Sequence, residues 1–206
     1  YYDPEEKRLT KGSYTYRFDS EGRLFKIIDE NDNRILITYT SGRITSVIDG
    51  AGRVFGFSYN SGGFLTSITA PDGTNILYTY SGNLLSTVTY PNGKKATITY
   101  SSNNKPISIL LSDNGTNVYR VNYLYSGNRV ASVTEYGVDG ETYITGASTS
   151  YSYSAASRKT VATTTEQADD GDAANVINTV YSFDNDGNIV GKYVYSEDTE
   201  NIGVEA

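Results

Sequence analysis

The chain has 206 residues, with 24 acidic against 17 basic side chains, and it contains no Cys and no His. Disulfides and thiolate sites are thereby excluded, as are Ser-His-Asp and Cys-His catalytic sets and imidazole metal ligands. The net charge of −7 argues against nucleic acid, which needs a basic footprint, and against adsorption to an anionic membrane surface.

In chain order, one aromatic recurs at a nearly fixed step: Phe18, Tyr39, Tyr59, Tyr80 and Tyr100 lie 20 or 21 residues apart. The step then widens to Tyr125, Tyr153 and Phe183. A period in this range means a repeat array, in which each unit contacts mainly its neighbours. The first turns follow the aromatics, with their glycines at Gly22, Gly42, Gly62, Gly82, Gly127 and Gly187. Second turns are read at Asp49–Arg53, Pro71-Asp72-Gly73, Pro91-Asn92-Gly93, Asp113-Asn114-Gly115 and Asp139-Gly140. Between them run short segments rich in Thr, Tyr, Val and Ile, such as Asn75–Tyr80, where Ile76, Tyr78 and Tyr80 share a face at period two. Short strands with turns every 8–12 residues give an all-β chain, each unit a hairpin.

The second strand of each unit carries apolar residues three apart: Leu24/Ile27, Ile44/Val47, Leu65/Ile68, Leu85/Val88, Ile107/Leu110 and Val130/Val133. Strict alternation would send the two members to opposite faces. Either a β-bulge between them returns both to one side, or the strand has apolar contacts on both faces. About sixteen strands at ~4.8 Å spacing would make a very wide flat sheet, so the expected architecture is an array of antiparallel β-hairpins forming a curved, spiralling sheet.

The array is read as one domain over 1–206, regular over about 12–136 and looser over 137–195. Residues 164–176 hold four acids and no apolar residue larger than alanine before Val176, and are expected to form a flexible acidic loop between Arg158–Thr165 and Val176–Phe183. Twenty tyrosines against six phenylalanines suit a partly wet sheet face, since Tyr keeps a hydroxyl to bond. They read first as structural strand residues, and second as a ligand-stacking stripe.

No catalytic constellation emerges. Nearly every Asp stands at a turn position, where it caps its own backbone. An EF-hand reading of Ser182, Asp184, Asp186 and Gly187 fails at its last position, where Tyr193 replaces the bidentate Glu. Asp169, Asp170 and Asp172 read as a solvated loop before they read as a calcium site. The Gly-containing turns lack the Lys-Ser/Thr of a phosphate loop. The chain is therefore expected to have no enzyme activity, metal or cofactor.

The segments Tyr16-Arg-Phe18-Asp19-Ser-Glu-Gly22-Arg23-Leu24 and Tyr181-Ser-Phe183-Asp184-Asn-Asp-Gly187-Asn188-Ile189 resemble the Y-x-Y/F-D-x-x-G-R/N-L pattern of Rhs, or YD, repeats. The units at Tyr39, Tyr59, Tyr80 and Tyr125 are degenerate versions, and the resemblance runs from about Gly12 to Tyr195. It implies strand ribbons that spiral into a hollow shell. In bacterial polymorphic toxins and Tc-type toxins of this family the shell encloses a C-terminal toxic domain. In wall-associated bacterial proteins it is a surface or secreted module, and in animal teneurins part of an adhesion ectodomain. The family's D-P-x-G-type self-cleaving motif has no counterpart here, so no protease residues carry over.

The expectation is a structural piece of a longer secreted or cell-wall/cell-surface bacterial protein, with a Gram-positive source favoured. Its partners would be the rest of the parent repeat protein and an enclosed C-terminal toxin domain. The alternative is an adhesion module binding cell-wall or host glycans through exposed tyrosines. Cut strand edges predict self-association of the fragment. The longest apolar runs are a few residues, so no membrane insertion is expected.

Overall fold

The computed structural model describes residues 1–167 and 174–196. It contains eighteen β-strands and no helix among the described residues. The strands fall into two compact units, Tyr1–Asn92 and Gly93–Ala206.

The first unit runs β1 (Tyr2–Asp3), β2 (Arg8–Lys11), β3 (Tyr14–Phe18), β4 (Leu24–Ile28), β5 (Arg34–Thr40), β6 (Arg43–Ile48), β7 (Val54–Tyr59), β8 (Leu65–Thr69), β9 (Asn75–Ser81) and β10 (Leu84–Thr89). The second runs β11 (Lys95–Tyr100), β12 (Pro106–Asp113), β13 (Thr116–Ser126), β14 (Arg129–Asp139), β15 (Thr142–Ser154), β16 (Lys159–Thr165), β17 (Val176–Phe183) and β18 (Ile189–Ser196). Within each unit every strand pairs antiparallel with the next in sequence, a plain meander. Such a chain makes only nearest-neighbour strand contacts, the structural meaning of the repeat.

Two turn designs close the hairpins. In the two-residue loop Ser41-Gly42 both residues have positive φ (50° and 76°), the type I′ arrangement whose twist matches that of the strands. The other design is a five-residue loop, of which Asp19–Arg23 is the pattern. The backbone amide of Asp19 donates to the Arg23 carbonyl (2.9 Å), and Gly22 N–H donates back to the Asp19 carbonyl (3.1 Å). The fourth position then needs φ > 0, which Gly22 adopts at 78° without the steric cost a Cβ brings.

The bulge reading holds. In the β5/β6 pair, Thr38 faces Ser46 and Tyr39 faces Ile44, so Thr45 is the extra residue and Ile44 and Val47 share the aromatic face. The same slip leaves one extra residue at Phe25, Thr66 and Ser86 in the first unit and at Ala131 and Val190 in the second. One pairing expected from sequence is displaced: Tyr100 faces Pro106, the extra residue is Ile107, and Pro106 and Ile109, not Ile107 and Leu110, lie on the aromatic face. The five-residue loop Ser101–Lys105 places Pro106 first in its strand, one residue earlier than apolar spacing suggested. Each bulge adds local right-handed twist at the same place in the unit.

Neither unit has a closed core. Tyr39 and Ile37 are half-buried while Leu36, Thr38 and Thr40 are exposed, and β9 repeats the alternation. The buried residues among those described are only Ala96, Ala162, Ser108 and Asn178. Each sheet thus carries a half-buried apolar face and an opposite face of mostly small and polar side chains.

Candidate functional site

The repeating side chains converge on the seam between one hairpin and the next. Tyr39 donates its hydroxyl to the Leu24 carbonyl (2.8 Å), Tyr59 to Ile44 (2.8 Å) and Tyr80 to Leu65 (2.9 Å), each across 15 residues. In the second unit Tyr125 donates to Pro106 (2.9 Å) and Tyr153 to Val130 (2.8 Å). The accepting residue in each case stands immediately before the bulge and, Val130 included, opposite the previous aromatic. The carbonyl next to each of these bulges is thus the one the next tyrosine uses.

The residue just before that carbonyl covers the same ring. Arg23 lies over Tyr39 at 4.8 Å, Arg43 over Tyr59 at 5.8 Å, Lys105 over Tyr125 at 5.2 Å and Arg129 over Tyr153 at 5.0 Å. At Tyr80 the position belongs to Phe64, whose ring centroid is 5.0 Å away. A cation over a ring contributes about 0.5–1 kcal/mol when exposed. The tips reach further still: Lys105 Nζ donates to the Gly127 carbonyl and, at 3.0 Å, to Asn128 Oδ1. With its hydroxyl bonded and its ring covered, by a cation or at Tyr80 by Phe64, each of these tyrosines rivets its hairpin to the one before.

The turn acids serve the loops. Asp19 Oδ1 accepts from the amides of Glu21 and Arg23, both at 2.9 Å, and its Oδ2 pairs with the Arg23 guanidinium at 2.8 Å. Asp49 repeats this with Ala51 and Arg53, and Asp29 and Asp184 do so with Asn33 and Asn188 in place of arginine. These bonds favour the ionised form. The fifth residue's backbone amide is the leading cause at Asp19 and Asp49, and its side chain at Asp29 and Asp184; all four carboxyls are held below the ordinary value of 3.8. On the aromatic face of β13, burial first and then a hydrogen bond with Glu135 push the Tyr119 phenol up to about 12.

Of the repeat-marking residues, Tyr39, Tyr59, Tyr80, Tyr125 and Tyr153 stand at the seams just described. Phe18 and Phe183 have the same place in their strands, opposite Leu24 and Ile189, without a hydroxyl, and Tyr100 sits opposite Pro106. Gly22, Gly42, Gly82, Gly127 and Gly187 have positive φ. In the third repeat the residue with positive φ is Gly63 (83°) rather than Gly62, and Asn60 stands where Asp stands elsewhere, its Oδ1 accepting from the Phe64 amide at 3.0 Å.

Sequence reading passed over the loop Asp29–Asn33, in which Asp32 takes the glycine's place at φ 62°, and Ser101–Lys105, where Asn104 does so at 59°. The available signal was a polar residue at positions one and five of the loop, with Gly, Asp or Asn at four. A polar row on the second unit's other face was also missed. There Arg120 donates to Ser108 Oγ (3.1 Å) and Asn122 Oδ1 (2.8 Å), and Thr163 donates to Asn178 (2.6 Å).

Strands β16 and β17 pair as expected, and Glu166 N–H extends the ladder to the Asn175 carbonyl at 2.9 Å. Asp169, Asp170 and Asp172, three of the four acids of the expected loop, lie outside the described residues. Among the described residues no cluster of three or more Asp, Glu, His or Cys could hold a metal ion.

The family model described as Teneurin YD-shell matches residues 10–167. Among solved structures, the chain is similar to the Photorhabdus luminescens Tc holotoxin pore carrying the mutation TccC3-D651A, at 14% identity and a TM-score of 0.64 over 96% of this chain. It is also similar to TcdB2-TccC3 without its hypervariable C-terminal region, at 15% identity and 0.65 over 94% of this chain, and to TcdB2-TccC3-Cdc42, at 15% and 0.64 over 94%. The chain spans 12% of the length of each of these matched chains. No curated protein matches it.

Proposed function

The chain belongs to the teneurin YD-shell family, and from that premise we propose that it is a non-catalytic structural module, a stretch of the wall of a secreted shell that encloses or presents another domain. The observation that carries this reading is the seam. Recurring side chains of the repeat, such as Tyr39, Tyr59 and Tyr80 with the turn residues Arg23, Arg43 and Asp19, are engaged in joining a hairpin to its predecessor or in closing its own loop. A repeat whose recurring residues are used in this way builds a surface and leaves recognition or toxicity to what that surface holds. The likeness to Tc toxin structures supports a toxin-type cargo in the parent protein, and the same likeness supports reading it as secreted.

The test is protease protection in the intact parent protein. A domain downstream of the repeats should resist a protease that digests the same domain rapidly when it is expressed alone. Equal digestion rates in the two contexts overturn the enclosing role.

A further inference from the structure

Three turns of the second unit, those joining β13 to β14, β15 to β16 and β17 to β18, line a cavity of about 380 Å³. Its wall gathers Arg129, Arg158 and Lys159 around Tyr153 and Phe183, with Asp184 its only acid among the described residues. In a chain of net charge −7, a concavity with three cations and one carboxylate runs against the average.

The local chemistry accounts for the imbalance. In the first unit the arginines closing the five-residue loops Asp19–Arg23 and Asp49–Arg53 are neutralised where they stand, Arg23 by Asp19 at 2.8 Å and Arg53 by Asp49 at 2.6 Å. Here the fifth loop position is Asn188, so Asp184 is satisfied by neutral donors: the amides of Asp186 and Asn188 at 2.9 Å and the Asn188 side chain at 3.0 Å. Among the described residues no carboxylate lies within ion-pair distance of Arg129, Arg158 or Lys159. Two of the three are nonetheless fixed in place. Arg129 rests on the Tyr153 ring at 5.0 Å, and Arg158 donates through Nη1 to Asn185 Oδ1. Guanidinium forks held in position and lacking a counter-ion favour planar oxyanions.

The geometry points to a binding site for a small oxyanion, a carboxylate or phosphate, carried on a body of about monosaccharide size. The anionic group meets Arg129, Arg158 and Lys159, and the body lies against Tyr153 and Phe183, in a volume within the range of small-ligand sites. This site is independent of whether the array encloses another domain.

The test is amide NMR titration of the full chain at low salt with glucuronate, glucose 6-phosphate, inorganic phosphate and glucose. Saturable shifts in the 184–188 and 154–159 turns by glucuronate or glucose 6-phosphate, with glucose silent, are expected. Tighter binding of one of the two identifies carboxylate or phosphate as the preferred head. Arg158→Gln and Lys159→Gln should each weaken binding about 10-fold, a loss of roughly 1.4 kcal/mol, while shifts elsewhere in the spectrum stay those of the folded chain. Three results would each overturn the site: no saturation, glucose binding as well as its charged derivatives, or inorganic phosphate binding as tightly as glucose 6-phosphate. Binding unchanged in both variants overturns it as well.

Discussion

The unit of cohesion in this chain is a phenolic hydroxyl. Tyr39, Tyr59 and Tyr80 each lose one hydrogen bond to a backbone carbonyl when changed to Phe, and keep the ring that the neighbouring side chain covers. Each change should cost about 0.5–1.5 kcal/mol in chemical denaturation, while Tyr14→Phe, at a position 50% exposed, should be nearly silent. The turn acids give the stability a pH sign. Asp19, Asp29, Asp49 and Asp184 have folded pKa values below 3.8, so on acidification the unfolded chain takes up their protons first. Their contribution is complete above the unfolded value and is lost as pH falls through the lower folded ones. The melting temperature should therefore be flat from neutrality to about pH 5 and drop steeply below about pH 4. Asp29→Asn should flatten part of that drop, because an amide oxygen accepts the same loop amides without titrating, as Asn60 does for Phe64. At the alkaline end the sign reverses. Tyr119, raised to about 12, stabilises the fold below the unfolded phenol value and loses that effect as pH rises through its own. Absorbance titration should show one tyrosine ionising last, and Tyr119→Phe should remove it.

At the scale of the element, the bulge rather than the turn sets the repeat. Deleting Thr45 would leave Ile44 and Val47 two apart, so a regular ladder would keep both on the aromatic face. What the deletion removes is the bulge next to the Ile44 carbonyl that Tyr59 uses. We expect strand content by circular dichroism to be retained and stability to fall by about 1–3 kcal/mol. If the deletion were neutral, the bulge would not be what presents that carbonyl. Much of this was legible in the sequence, since a spacing of three inside a strand is unusual and recurred unit after unit. It misled at Pro106, where the loop length, not the hydrophobic pattern, decided which residue met Tyr100. The loops were less legible: Asp32 and Asn104 adopt positive φ without being glycine, and Asn60 and Ser101 replace the aspartate that marks the motif. The cations over the rings were invisible from spacing alone, because Arg43 and Tyr59 are 16 apart in sequence and meet only once the bulge has brought the next hairpin round.

At the scale of the whole molecule, the fold leaves apolar surface without a partner. No side chain among those described is fully buried, and the buried apolar residues are two alanines. In each unit a sheet whose aromatic face is only half-covered needs something against that face or tolerates water there, and tyrosine suits the second case because its hydroxyl stays bonded. Aliphatic residues are less tolerant: in β18, Ile189 is 60% and Val190 64% exposed, and in β13 Leu124 is 66% exposed. Exposed aliphatic side chains on strands invite pairing with another chain. The chain should therefore associate as its concentration rises, seen by light scattering as a molar mass that climbs above the monomer's, and Ile189→Lys with Val190→Lys should lower that slope. Both side chains are mostly exposed, so the double variant should keep its melting temperature within a few degrees, which separates lost association from lost folding. A monomer at every concentration up to the solubility limit would mean that the half-covered aromatic face is a stable wet surface in its own right, and that the tyrosine hydroxyls, not a covering layer, are what make it so.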